Sequence, residues 1–460
     1  MLKLFPLRLD IVYGTIIIGM RGIMMHPVEK HRDLVLVAEE YLRVHPETGF
    51  REEITCKYLA ENFEKLGYTL TYAGDIPGFY TVIDTGRPGP EVLVLAEMDA
   101  LLCPSHPDAD PVTGAAHACG HHVQGAAILG LAAALKEPGT LDGLSGRIRL
   151  CCVPAEEYIE TEYRMSLKEK GIIRYLGGKL EFLRRGYFDG VDMAFMLHAG
   201  WGLSAAAGAV GFTGLQIEYK GLAAHASDPW NGINALSAAN CGMNAINAIR
   251  DNFREEDLVR VQTIITNGGD ATNTIPASVT LQCRIRGKTD EAMASTRLRV
   301  KRALIGGAVS LGAGIEITDF PGYAPLYNDP GLLRAAKTAA DELGMSFYQD
   351  LGYGTGSTDM GDLSAVMPAI HPFGGGCTGG AHAPDFKVAD KEEACVGGAK
   401  WEFTLLNVLL RHDAVCAREI VENYTPRFSS KAGFLAHLDS MDRCRACVSY
   451  ENGTAIAKLD

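Results

Sequence analysis

Two hydrophobic textures alternate along the chain. Short apolar runs at Val92–Ala96, Ile148–Val153 and Met193–Leu197 are what strands buried on both faces of a sheet display. Helical spacing recurs over Asp33–Tyr41 and over Ile54–Leu66, the second closed by Gly67, and Gly125–Leu135 is apolar all round, the mark of a buried helix. Helices set between buried strands predict an α/β domain with a mixed, largely parallel sheet.

From about Gly208 the texture changes. Leu215–Tyr219 alternates like a half-exposed strand and Ala235–Ile249 reads as a helix; Val261–Thr266 and Val279–Ile285 read as strands, Glu291–Leu304 as a helix and Ile315–Asp319 as a strand. That βαββαβ order predicts an inserted split-βαβ (ferredoxin-like) domain. The expected organisation is an N-terminal extension at 1–25, a catalytic domain from 26–207 and 321–427, an inserted domain at 208–320 and a tail at 428–460.

Composition narrows the class. A chain of 460 residues, 47% hydrophobic, can bury a large core. Its 43 basic and 56 acidic residues give −13, which argues against nucleic acid or an anionic membrane as the main partner. Cysteines such as Cys151, Cys152 and Cys283 sit in apolar runs, so a disulfide framework is disfavoured and a cytoplasmic setting expected. Ile11–Met20 is apolar and follows Lys3 and Arg8, but Asp10 interrupts it, Arg21 follows and no small-x-small cleavage site is present. It is also shorter than the ~20 residues a membrane span needs, so export and membrane insertion are disfavoured.

Candidate chemistry gathers where the buried strands stop. Val92–Ala96 is followed by Glu97 and Asp99, Ile148–Val153 by Glu156 and Glu157, and Met193–Leu197 by His198. In an open α/β sheet the carboxyl ends of neighbouring strands open onto one crevice, so these three termini are expected to converge. His117-Ala-Cys119-Gly-His121-His122 adds sulfur and nitrogen at the start of the Gly125–Leu135 helix, where the helix dipole favours a thiolate. Sulfur, imidazole and carboxylate together are the donors of a zinc- or manganese-type site. Two other readings stay open: a thiol amidase with Cys119 as nucleophile and His121 or His122 as base, and a non-catalytic small-molecule-binding or regulatory subunit.

Further motifs extend the pattern: His45-Pro-Glu-Thr-Gly-Phe50, Ala96-Glu-Met-Asp99-Ala-Leu101, Gly221-Leu-Ala-Ala-His225-Ala, Asn273-Thr-Ile-Pro276, Gly356-Ser-Thr-Asp359-Met-Gly-Asp-Leu-Ser364 and Gly380-Ala-His382-Ala-Pro384. With the strand-end residues, they span roughly residues 26 to 425. In these the chain resembles the aminoacylase/carboxypeptidase amidohydrolases of peptidase family M20, particularly the branch with aminobenzoyl-glutamate hydrolase and the auxin-conjugate hydrolases.

The resemblance implies two divalent metal ions, Zn or Mn, bound by Cys119, His121, Glu157, His198 and His382, with Glu156 as general base and proton shuttle. It implies a small amide substrate, an N-acyl or N-aroyl amino acid or a dipeptide. It also implies a homodimer formed through the inserted domain, whose His225 would reach the partner's site to stabilise the oxyanion, with Asn273 touching substrate. Asp99 is implied to orient a ligand histidine rather than bind metal. The chain departs from its relatives at His122, where they carry Asp or Asn, and at Glu97, where many auxin-conjugate-type members carry Asp. Asp359 matches a subfamily feature to which no role is assigned, and Cys444-Arg-Ala-Cys447 lies beyond the resemblance.

Overall fold

The computed structural model describes residues 25–459, so nearly all of the expected N-terminal extension lies outside the described residues. The chain first forms helices α1 (Arg32–Arg43) and α2 (Glu53–Lys65), then strands β1 (Thr71–Tyr72), β2 (Phe79–Asp84) and β3 (Glu91–Glu97). Helix α3 (His121–Leu135), strand β4 (Arg147–Val153), helix α4 (Gly178–Arg185) and strand β5 (Met193–Phe195) follow. Next come β6 (Gly211–Lys220), α5 (Ala235–Ala248), β7 (Arg260–Asn267), β8 (Ser278–Gly287), α6 (Asp290–Ser310) and β9 (Gly314–Tyr323). The last elements used below are α7 (Met360–Ser364), β10 (Ala369–Ile370), α8 (Lys431–Met441), β11 (Arg443–Glu451) and β12 (Thr454–Ala457).

One sheet runs β1-β2-β4-β3-β5-β10. Its β3, β4, β5 and β10 are parallel, and β1 and β2 add an antiparallel edge. The architecture is thus mixed α/β with a mixed sheet. All of β3 is buried because it feeds two cores: Val92, Val94 and Ala96 pack on one face, Leu93 and Leu95 on the other. Helix α3 lies in the first of these cores and is buried along its whole length. Glycine lets it sit so deep. A Cβ on Gly125 would stand 2.8 Å from Leu42 Cδ1 of α1, and one on Gly130 would press into Val35 of the same helix.

A second sheet, β7-β8-β6-β9-β11-β12, is antiparallel throughout. Helices α5 and α6 cover it and enclose a third core. The C-terminal stretch, expected as a tail, instead forms α8 and a hairpin, β11–β12, that lengthens this sheet. Only Cys447 and Val448 of β11 are buried, so the strand carried no apolar period by which to see it. No helix among the described residues is long and apolar enough to cross a membrane.

Candidate metal centre

Because β3, β4 and β5 run parallel, their carboxyl ends face the same way. Glu97 ends β3, the turn after β4 carries Glu156 and Glu157, and His198 follows β5. The partner of these strand ends is the start of α3. Its N-cap, Gly120, adopts φ 86°, a left-handed conformation that glycine accepts without steric cost. That turn sets Cys119 just outside the helix and His121 in its first turn. The loop bearing His382 is tied to the same segment, since its backbone N–H donates to the carbonyl of Ala118 at 2.9 Å. His382 itself sits at φ 61°, a strained conformation of the kind that collects at functional sites.

The donor atoms fall into overlapping groups. Cys119, His121 and His198 offer atoms within 4.8 Å of one another, and so do Cys119, Glu157 and His382, and Glu97, His121 and Glu156. Cys119 Sγ lies 3.4 Å from His198 Nε2, and His382 Nε2 lies 3.1 Å from Glu157 Oε1. His121 Nδ1 approaches the Asp99 carbonyl at 2.9 Å, and His198 Nδ1 approaches the Ala199 carbonyl at 2.7 Å. A carbonyl only accepts, so both Nδ1 atoms donate, and both Nε2 atoms are left facing the cluster.

Those nitrogens meet buried carboxylate oxygens. His121 Nε2 and Glu157 Oε1 are buried without a hydrogen-bond partner, and His121 Nε2 stands 3.1 Å from Glu97 Oε2. Such an arrangement is costly unless positive charge lies among the atoms. The donor set of one thiol, three imidazoles and carboxylates fits a divalent transition metal.

The electrostatics are those of a dry, crowded site. Burial, reinforced by Glu97 and Glu157, pushes the Glu156 carboxyl well above the usual carboxylate range. Burial and the Glu157 carboxylate push the Cys119 thiol up. Burial and the neighbouring His121 hold His198 down. Burial opposes charge on His121 as well, but Glu97 and Cys119 override it and raise that histidine well above its ordinary value.

His225 and Asn273 are placed differently. Both are exposed on the second-sheet unit. His225 Nδ1 accepts from the Ser227 backbone N–H at 3.1 Å, and the Asn273 carbonyl accepts from Ala226 at 2.9 Å. The first bond stays within one loop and the second joins the two loops, and neither reaches the donor cluster. His122 turns away from the cluster too, with Nε2 3.5 Å from Glu39 of α1. Cys444 is exposed and Cys447 buried on β11.

One buried charge had no signal in the sequence. Lys179, in the first turn of α4, is fully buried and bonds both Glu97 and Asp359. A lysine at a helix start reads as solvated surface. The demand of two buried carboxylates for a counter-charge was the only available clue.

A mixed α/β scaffold thus gathers at its strand ends a donor cluster that could hold divalent metal. The chain belongs to Peptidase family M20/M25/M40, whose profile matches residues 93–407. It is 30% identical to human Xaa-Arg dipeptidase over 276 residues, 57% of this chain and 58% of that protein. It is also 30% identical to a p-aminobenzoyl-glutamate hydrolase chain from Escherichia coli K12, over 58% of this chain and 62% of that one. The match thus spans less than two thirds of either relative. A dinuclear metal-binding M20 peptidase from Bacillus subtilis shares the fold at a TM-score of 0.65 and 22% identity, over 84% of this chain and all of that one.

Proposed function

We propose that the protein hydrolyses the amide bond of a small N-acyl or N-aroyl amino acid or dipeptide at a two-metal site, Zn or Mn, held by Cys119, His121, Glu157, His198 and His382. The observation that carries this reading is the buried, unpartnered Nε2 of His121, in a cluster where Cys119 is common to two groups of donors. Bound divalent cations would acidify a water and polarise the amide carbonyl. Glu156 and Glu157 are consecutive yet fall in different donor groups, Glu157 alone with Cys119 and His382; we assign metal to Glu157 and protons to Glu156. Glu156 takes the proton from the attacking water and passes it to the leaving amine.

The unit at 208–320 then serves as a dimerisation and lid domain of the split-βαβ (ferredoxin-like) type. Its strand order and its exposed edge strand β7, with Ile264 59% exposed, support that role. In this reading His225 supplies an oxyanion donor to the partner's site and Asn273 touches substrate. All twelve cysteines are free, which supports a cytoplasmic setting. The approach of Cys119 Sγ to His198 Nε2 at 3.4 Å also suits a thiol nucleophile, so the test must separate the two chemistries.

The test is a panel of N-acyl amino acids, dipeptides and aminobenzoyl-glutamate, assayed on metal-loaded protein with bound metal measured on the same sample. Turnover lost in EDTA and restored by Zn or Mn supports the metal reading. Turnover that survives chelation supports the thiol, and no turnover on any substrate with metal bound sinks both.

A further inference from the structure

Behind the cluster lies a set of buried charges that the five proposed ligands do not use. The Lys179 ammonium bonds Glu97 Oε1 and Asp359 Oδ1, and its backbone N–H donates to Asp359 Oδ2 at 2.9 Å. The side chains of Lys179, Glu97 and Asp359 are all fully buried. One ammonium between two carboxylates leaves a single net negative charge, and the geometry shows where it is directed. Glu97 Oε1 is taken by the ammonium. Glu97 Oε2 accepts from Gln124 Nε2 at 2.8 Å and stands 3.1 Å from His121 Nε2.

That last distance is informative. His121 Nδ1 is committed to Asp99, so it is Nε2 that faces Glu97, buried and without a hydrogen-bond partner. An imidazole nitrogen and a carboxylate oxygen this close need positive charge at the contact, supplied by a proton on Nε2 or by a cation held against both atoms. Glu97, His121 and Glu156 also form a donor group within 4.8 Å.

We propose that Glu97 is a further metal ligand, on the ion that His121 holds, and that Lys179, backed by Asp359, is the positioning residue that restricts Glu97 to one coordinating oxygen. The inference rests on reading the cluster as a metal centre. Cys119 as thiolate and Glu157 bring two negative charges to two divalent cations, and Glu97 brings a third. The pinned Oε1 also keeps the carboxylate from swinging to a two-oxygen grip that would crowd the substrate side.

Chelator-stripped protein is titrated with Zn²⁺ and with Co²⁺, affinities being read by competition with a chromophoric chelator and folding by melting curves. The unsubstituted protein is expected to take two ions. Glu97→Gln should weaken one site by at least about 10- to 100-fold. The Co²⁺ form should then show altered d–d bands and an unchanged sulfur-to-metal charge-transfer band from Cys119. Glu97→Asp keeps the charge but withdraws the oxygen by one methylene, and should weaken the same site. The double variant Lys179→Met/Asp359→Asn removes one charge of each sign and should weaken it by about 10- to 100-fold.

If both Glu97 variants bind two ions with unchanged affinity and cobalt spectra, Glu97 is not a ligand. If only the double variant is silent, the positioning role of Lys179 falls. If the unsubstituted protein binds no metal, the metal-centre reading fails and takes this inference with it.

Discussion

The Asp99 carboxylate stands 3.2 Å from Nδ1 of His121, inside a fully buried site. Its other oxygen accepts the Glu157 backbone N–H at 2.8 Å, so a single side chain orients one donor on α3 and one after β4. Asp99→Asn would turn an NH₂ toward one of these two donors and break that contact. Metal affinity is expected to fall about 10- to 100-fold, with a loss of about 1–3 kcal/mol in stability from the unmatched buried donor. Chelator competition and chemical denaturation measure the two; unchanged values for both would remove Asp99 from this role.

Glu156→Gln separates proton transfer from metal binding. Turnover should drop about 10²- to 10⁴-fold while bound metal, counted on the same sample, stays as in the parent. Loss of metal along with activity would instead make Glu156 a ligand.

Helix α3 reaches its position only because α1 passes over glycine. Gly130→Ala pushes a methyl group into Val35 and should cost about 1–3 kcal/mol. Val35→Ala in the same background should recover part of that loss, a coupling that a double-mutant cycle reads directly. Strict additivity would show that the two residues do not meet.

Glu402 predicts a pH-dependent stability remote from the cluster. Burial pushes its carboxyl up to about 8, and its Oε2 has no hydrogen-bond partner. The unfolded chain releases this proton near the ordinary value of about 4.3, while the folded chain keeps it. Between about 4.3 and 8 the unfolded state therefore binds fewer protons, and stability falls as pH rises. Glu402→Gln should be more stable than the parent at pH 8 and show no such advantage at pH 5. Parallel denaturation curves for the two proteins at both pH values would expose the opposite trend.

Much of the cluster was legible in the sequence because its signals are local. An apolar run that stops at Glu97, Glu157 or His198 marks a buried strand meeting a crevice, and Cys119-Gly-His121 carries its spacing on its face. What stayed hidden depends on partners distant in the chain. Lys179 looks like a solvated helix residue until Glu97 and Asp359, 82 and 180 positions away, are seen against it. His122 shares its segment with two donors, yet the helical turn aims it at Glu39. Strand β11 is mostly exposed and rich in Arg and Cys, so its pairing with β9 left no trace in the pattern.

That pairing has a mechanical side. Phe434 and Leu438 of α8 are sunk in the second core beneath the main sheet, and Arg174 and Lys168 grip its end through Asp439 and Asp442. One residue later the chain is already hydrogen-bonded into the other sheet as β11. The short link at Asp442 therefore couples a helix seated in one core to a strand of the other sheet, so that displacing one body from the other must unseat either the helix or the strand.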